Sequence, residues 1–233
     1  MNAQNSAART RIKICGLTRP EDVDAAVHAG VDAIGFVLYP PSARAVSLEK
    51  AASLARRLPP FVTPVLLFVN ATLDHIQQAA QAVPGALLQF HGDESPQDCQ
   101  VAASACARPY IKAARIPAQD THSLDLVKFA DSYNQAQAIL LDTLVDGYGG
   151  GGKTFNWSHL PPSVSSHLVL SGGLTPANVT DGIVLVRSRG LSLAVDVSSG
   201  VELDGPSSKG LKDTHKILQF VQAVRAADER INA

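Results

Sequence analysis

Eight short apolar runs, each followed by a segment of helical or loop character, limit how this chain can fold. The runs are Arg11–Cys15, Ala33–Val37, Pro64–Val69, Ala86–Phe90, Tyr110–Ala113, Ile139–Asp142, Leu168–Ser171 and Leu193–Val197. Most are rich in Val, Ile and Leu with little alternation, the pattern of strands buried on both faces of a parallel sheet. After the first run, Pro20-Glu21-Asp22 places a first-turn proline and two acids at a positive helix end, and Gly30 closes the segment. Further helices are predicted over Ser47–Leu58, Thr72–Ala82, Ser95–Cys106, Thr121–Ser132, Pro176–Arg187 and Ser208–Ala227. The sixth unit differs: a glycine-rich loop follows Asp142, then a single helical turn at Trp157–Leu160. Strands alternating with helices predict right-handed parallel crossovers. Eight such units favour closure into a single-domain TIM (β/α)8 barrel over an open doubly wound sheet.

The 233 residues suit one such domain, and no linker or low-complexity tract divides them. Residues 11–233 are assigned to the barrel. Residues 1–10 have no apolar stretch and are expected to form a mobile tail. A formal net charge of -1 argues against nonspecific nucleic-acid binding but leaves room for a local phosphate pocket. Runs such as Val65–Val69 are far too short to span a membrane, and no secretory signal is read. Three cysteines, an odd and low count, argue against a disulfide framework and for a reducing compartment, so a cytoplasmic location is expected. No His/Cys/Asp/Glu cluster has metal-ligand spacing and no dinucleotide fingerprint occurs, so neither metal nor cofactor is expected. Monomer and homodimer both stay open.

In a barrel, the chemistry sits at the C-terminal ends of strands and in the loops that follow. The first strand ends in Lys13-Ile14-Cys15-Gly16, and residues two apart point to one face. A cation beneath Cys15 is expected to lower the thiol pKa and create a base; the plainer reading is a small buried hydrophobe. Cys99 and Cys106 fall inside a predicted helix and read as packing residues. Asp142 closes the sixth strand after three apolar residues and reads either as an acid or as a capping carboxylate. The loop Asp146–Phe155 meets the nucleotide-loop spacing, with Gly147 six residues before Lys153 and Thr154 next, yet no helix-forming stretch follows. A mobile lid carrying Lys153 fits better. Ser171-Gly172-Gly173 and Ser198-Ser199-Gly200 follow strands seven and eight and offer amide and hydroxyl donors to a phosphate. Arg44, after strand two, reads as a carboxylate clamp or a solvated charge. His91, after strand four, reads as a donor lining the mouth or a satisfied polar residue.

These motifs together resemble the phosphoribosylanthranilate isomerase family, from about Arg11 to Val224. They are Lys13-Ile14-Cys15-Gly16-Leu17-Thr18, Ala33-Ile34-Gly35-Phe36-Val37, Leu88-Gln89-Phe90-His91-Gly92 and Leu140-Leu141-Asp142, followed by Gly152-Lys153-Thr154-Phe155-Asn156-Trp157, Ser171-Gly172-Gly173-Leu174 and Asp196-Val197-Ser198-Ser199-Gly200-Val201-Glu202. The resemblance implies an Amadori rearrangement of an aminoaldose to an aminoketose in tryptophan biosynthesis. It implies Cys15 as general base and Asp142 as general acid. Arg44 is implied at the anthranilate carboxylate, and Gly172, Gly173, Ser198 and Ser199 at the phosphate. Asp196 and His91 are implied among the substrate-binding residues, and no cofactor or metal is implied. The chain departs from the usual pattern at Gly151, where the family has Thr, at Asn156, where Asp is common, and in a longer stretch after Glu202.

Two other readings compete. Another phosphosugar barrel, such as an aminoimidazole-carboxamide ribotide isomerase, uses an aspartate at the end of strand one, where this chain has Cys15. A catalytically silent phosphate-binding barrel would have little need of both Cys15 and Asp142.

Overall fold

The computed structural model describes residues 9–117, 124–144 and 154–232. The eight strands are β1 (Arg11–Cys15), β2 (Ala33–Val37), β3 (Thr63–Phe68), β4 (Leu87–Phe90), β5 (Tyr110–Pro117), β6 (Ala138–Leu144), β7 (Leu168–Leu170) and β8 (Leu193–Val197). They close in chain order into one barrel, β8 pairing in parallel with β1 and placing Lys13 opposite Asp196. The helices are α1 (Pro20–His28), α2 (Leu48–Ala55), α3 (Leu73–Ala82), α4 (Pro96–Cys106), α5 (Leu126–Ser132), α6 (Val179–Val186) and α7 (Thr214–Asn232). Among the described residues, the sixth unit carries the 3-10 turn Trp157–His159, where the interrupted pattern predicts a single helical turn.

The strand residues divide by period two. One set faces outward and packs under the helices, with Ile14, Ile34, Phe36, Leu66, Phe68, Leu88 and Phe90 all buried there. The other set fills the barrel. Ile111, Ala113, Ala138, Leu140 and Val169 form an apolar interior plug. Cys15, Val37, Leu67 and Val69 form a smaller apolar patch at one side of the mouth. The helices start where side chains satisfy free amides: Ser47 accepts from the Lys50 amide, Thr72 from His75, and Ser95 with Asp98 forms a reciprocal capping box.

Several boundaries differ from expectation. β5 runs on to Pro117, because it pairs with β6 from Ile111 as far as Pro117 opposite Leu144. α7 begins at Thr214 and not at Ser208; Pro206–Ser208 is a 3-10 turn, and Glu202 and Lys212 make an antiparallel bridge before the helix. α6 begins at Val179, because the Asn178 side chain folds back to accept from the Thr175 amide. Thr10 belongs to the barrel and not to a tail: it is fully buried, and its amide and hydroxyl both donate to Asp228. Residues 1–8, the expected start of the fifth helix at residues 121–123 and the glycine-rich loop through Lys153 lie outside the described residues.

Candidate active site

At the C-terminal ends of the strands, one cleft is lined by the nine residues that the resemblance places at the site: Cys15, Arg44, His91, Asp142, Gly172, Gly173, Asp196, Ser198 and Ser199.

Cys15 is the last residue of β1 and buried. Lys13 lies one interior layer below and donates to Asp196 Oδ1 at 2.8 Å; Ser171 Oγ donates to the other oxygen at 3.3 Å. Gly35 in β2 makes room for this pair: a Cβ there would stand 2.7 Å from Cys15 Sγ and 3.1 Å from Lys13 Nζ. Lys13 pulls the thiol pKa down, as its spacing from Cys15 leads one to expect, but it does not set the net direction. Burial pushes the Cys15 thiol up, and this outweighs the opposing pull of Lys13. Burial also works against the Lys13 charge, but Asp196 and then Cys15 overcome it and hold the ammonium above its ordinary value. The resting state therefore pairs a protonated thiol with a firmly charged lysine. Asp196, expected near substrate, lines the cleft while committed to Lys13.

Asp142 follows Leu141 on β6, its side chain inside the barrel. His91 Nε2 lies 2.9 Å from Oδ2, and the Thr143 amide donates to Oδ1 at 2.9 Å. Gln89 Nε2 lies 3.0 Å from His91 Nδ1, which sets His91 Nε2–H as the donor to Asp142. Gln89 was not singled out from the sequence, yet it lines the cleft, is fully buried, and its Oε1 has no partner among the described residues. The available signal was a polar residue two positions before His91 inside an apolar run, hence on the same interior face.

The two expected phosphate loops stand side by side. Gly172 and Gly173 have φ of +77° and +65°, a consecutive left-handed pair that turns the backbone into a concave loop above β7. The 3-10 turn Ser199–Val201 follows β8. The two loops touch at Gly200, where a Cβ would stand 1.9 Å from the Leu174 carbonyl oxygen.

Arg44 is not a solvated charge. Its Nε and Nη2 donate to Glu202 Oε1 and Oε2 at 2.7 and 2.9 Å. One edge of the guanidinium is thereby fixed, and Nη1 with the second Nη2 hydrogen forms the edge available to a carboxylate. Glu202 also accepts from Lys212 Nζ at 3.0 Å. Burial works against the Glu202 charge, but Arg44 and Lys212 outweigh it and hold the carboxyl down at about 2. Neither Glu202 nor Lys212 was singled out as a site residue, since only the folded chain brings the stretch after β8 back over β1.

Among the described residues, no helix is long and apolar enough to cross a membrane, and no group of three or more His, Cys, Asp or Glu could hold a metal ion. The arrangement offers a carboxyl group and a thiol on one cleft, with an anion-binding loop pair and a guanidinium edge beside them.

Comparison with known proteins gives a consistent result. Residues 12–223 match the family model described as N-(5'phosphoribosyl)anthranilate (PRA) isomerase. The chain is 59% identical over 225 residues to an N-(5'-phosphoribosyl)anthranilate isomerase of Leptothrix cholodnii, covering 97% of this chain and 95% of that one. Among solved structures it is similar to the phosphoribosyl anthranilate isomerase of Thermotoga maritima, with 39% identity, a TM-score of 0.79 and coverage of 93% and 99%. It is also similar to a phosphoribosyl anthranilate isomerase in complex with reduced 1-(o-carboxyphenylamino)-1-deoxyribulose 5-phosphate, at 35% identity, TM-score 0.76 and coverage of 93% and 99%.

Proposed function

Because the chain belongs to the N-(5'-phosphoribosyl)anthranilate isomerase family, we propose that Cys15 and Asp142 are the base and acid of its Amadori rearrangement. The reaction converts the aminoaldose N-(5'-phosphoribosyl)anthranilate into the aminoketose 1-(2-carboxyphenylamino)-1-deoxyribulose 5-phosphate, in tryptophan biosynthesis. The observation that carries the residue assignment is the single cleft that holds Cys15, Asp142, Arg44 and both glycine–serine loops.

Ring opening needs a proton at the furanose oxygen. Asp142 supplies it, and C1–O bond cleavage leaves a Schiff base between C1 and the anthranilate nitrogen. The carboxylate left behind is stabilised by His91 Nε2–H and the Thr143 amide, both already placed on its oxygens. The C2 proton then goes to Cys15. Its electron pair moves into the C1–C2 bond, the imine nitrogen is neutralised, and an enolamine forms that tautomerises to the ketone. Cys15 rests as a thiol, so its own proton first leaves to solvent; the thiolate that then accepts the C2 proton stands beside Lys13, whose charge Asp196 secures. The substrate's own nitrogen supplies the imine, so the chemistry requires no added cofactor.

Recognition divides between two anionic ends. The free edge of Arg44 takes the anthranilate carboxylate. The amides and hydroxyls of Gly172, Gly173, Ser198 and Ser199 take the phosphate. His91 and Asp196 border the sugar through their places on the cleft wall. A cytoplasmic location is proposed with it, supported by three cysteines that are all free. Loss of anthranilate-type fluorescence, on substrate made in situ, tests the assignment in wild type beside Cys15 and Asp142 variants.

A further inference from the structure

The stretch between Glu202 and α7 is stitched onto the loop that follows β1. Thr18 Oγ1 donates to the Gly210 carbonyl at 3.2 Å, Arg19 Nη2 to the Lys212 carbonyl at 3.1 Å, and the Lys212 amide to Asp22 Oδ2 at 3.3 Å. These contacts drive the Lys212 side chain beneath the mouth, where it has no solvent exposure. Its Nζ donates to Ser198 O at 3.0 Å, to Ser198 Oγ at 3.3 Å and to Glu202 Oε1 at 3.0 Å. Ser198 Oγ in turn donates to the Cys15 carbonyl at 3.0 Å.

Charge is not balanced there. The part-buried Arg44 and the buried Lys212 share the single carboxylate of Glu202, which leaves a surplus of one positive charge. The nearby acids are engaged elsewhere: Asp22 with Arg19, Asp204 with Lys216 and Asp196 with Lys13. A buried cation without its own counter-ion is costly unless an anion arrives. Burial holds Lys212 below the usual lysine range despite Glu202, so a second negative charge nearby would stabilise it.

We infer that Lys212 is the positioning residue of the phosphate site, a fixed cation beneath the Ser198 loop that both anchors that loop and compensates the substrate phosphate. It touches Ser198 and not the cleft, so it acts through the loop and through its field. Arg44, held by Glu202 on one edge, serves the carboxylate end with the other.

The inference rests on the phosphate role assigned above to the loops after β7 and β8, and the test separates the two. Inhibition of turnover by inorganic phosphate and by benzoate is measured for wild type, Lys212→Met, Lys212→Gln and Lys212→Arg, with thermal melts of each. Phosphate inhibition of Lys212→Met should weaken by about 10-fold or more, with benzoate inhibition within about twofold of wild type. Lys212→Arg keeps the charge and should retain most of the phosphate affinity, although Met matches the lysine stem better in shape. Lys212→Gln, which keeps an N–H donor for Ser198, should behave as Met does and stands in if Met fails to fold. Unchanged phosphate inhibition in folded Met and Gln variants overturns the inference. So does equal loss of both inhibitors, or better phosphate binding in Met than in Arg. A wild type that phosphate does not inhibit refutes the phosphate role of the loops themselves.

Discussion

His91 Nε2 lies 2.9 Å from Asp142 Oδ2, a hydrogen bond that joins the residue after β4 to β6 across the intervening β5 at the barrel mouth. The bond aims the carboxyl group and keeps an N–H donor on one of its oxygens while the proton is transferred. Replacing His91 by Ala should therefore lower kcat by about 10- to 100-fold, the size of one charge-assisted hydrogen bond, with KM changed far less. Steady-state kinetics check this. An unchanged kcat would remove His91 from the support of the acid.

The state of the Cys15 thiol has a testable sign. Burial raises its pKa, so at neutral pH the free enzyme carries mostly thiol, and thiolate accumulates as pH rises. The rate of Cys15 alkylation by iodoacetamide should climb with pH and reach its midpoint above the ordinary cysteine value of about 8.5. Lys13 opposes that rise, so Lys13→Met should move the midpoint higher still. A midpoint at or below the ordinary value would contradict the direction.

Two glycines should fail differently. A Cβ at Gly35 meets the Cys15 and Lys13 side chains, whereas one at Gly200 stands 1.9 Å from a backbone oxygen. Gly35→Ala should displace the thiol and cost at least about 10-fold in kcat with the fold retained. Gly200→Ala should part the two phosphate loops, raising KM and lowering Tm. Kinetics and melting curves distinguish the patterns, and identical profiles for the two variants would contradict the assignment.

Arg44 has one edge on Glu202 and one to spare. Arg44→Ala should weaken substrate and benzoate binding by about 10-fold or more, while inhibition by inorganic phosphate changes little. Arg44→Lys keeps the charge but lacks the fork and should recover only part of the affinity. Unaltered KM and benzoate inhibition in Arg44→Ala would exclude the clamp.

The parts of this design legible in the sequence are those that local pattern controls. Val- and Ile-rich runs such as Ala33–Val37 mark strands buried on both faces, and the strand ends carry Cys15, His91, Asp142 and the glycine–serine loops. What is not legible depends on closure of the barrel. Asp196 reaches Lys13 only because β8 pairs with β1, and Lys212 reaches Ser198 only because a loop folds back over Thr18 and Arg19. The direction of the Cys15 shift also escapes sequence reading. Spacing places the opposing charge, but burial, which is larger, follows from the packed mouth.

The most direct measurement is the rate of anthranilate-type fluorescence loss with in situ phosphoribosylanthranilate, for wild type, Cys15→Ala and Asp142→Asn. Rapid loss in wild type and rates at least about 100-fold lower in each variant, with native melting curves, are the expected outcome. A near-normal rate in either folded variant would remove that residue from the chemistry, and no loss with wild type would contradict the proposed reaction itself.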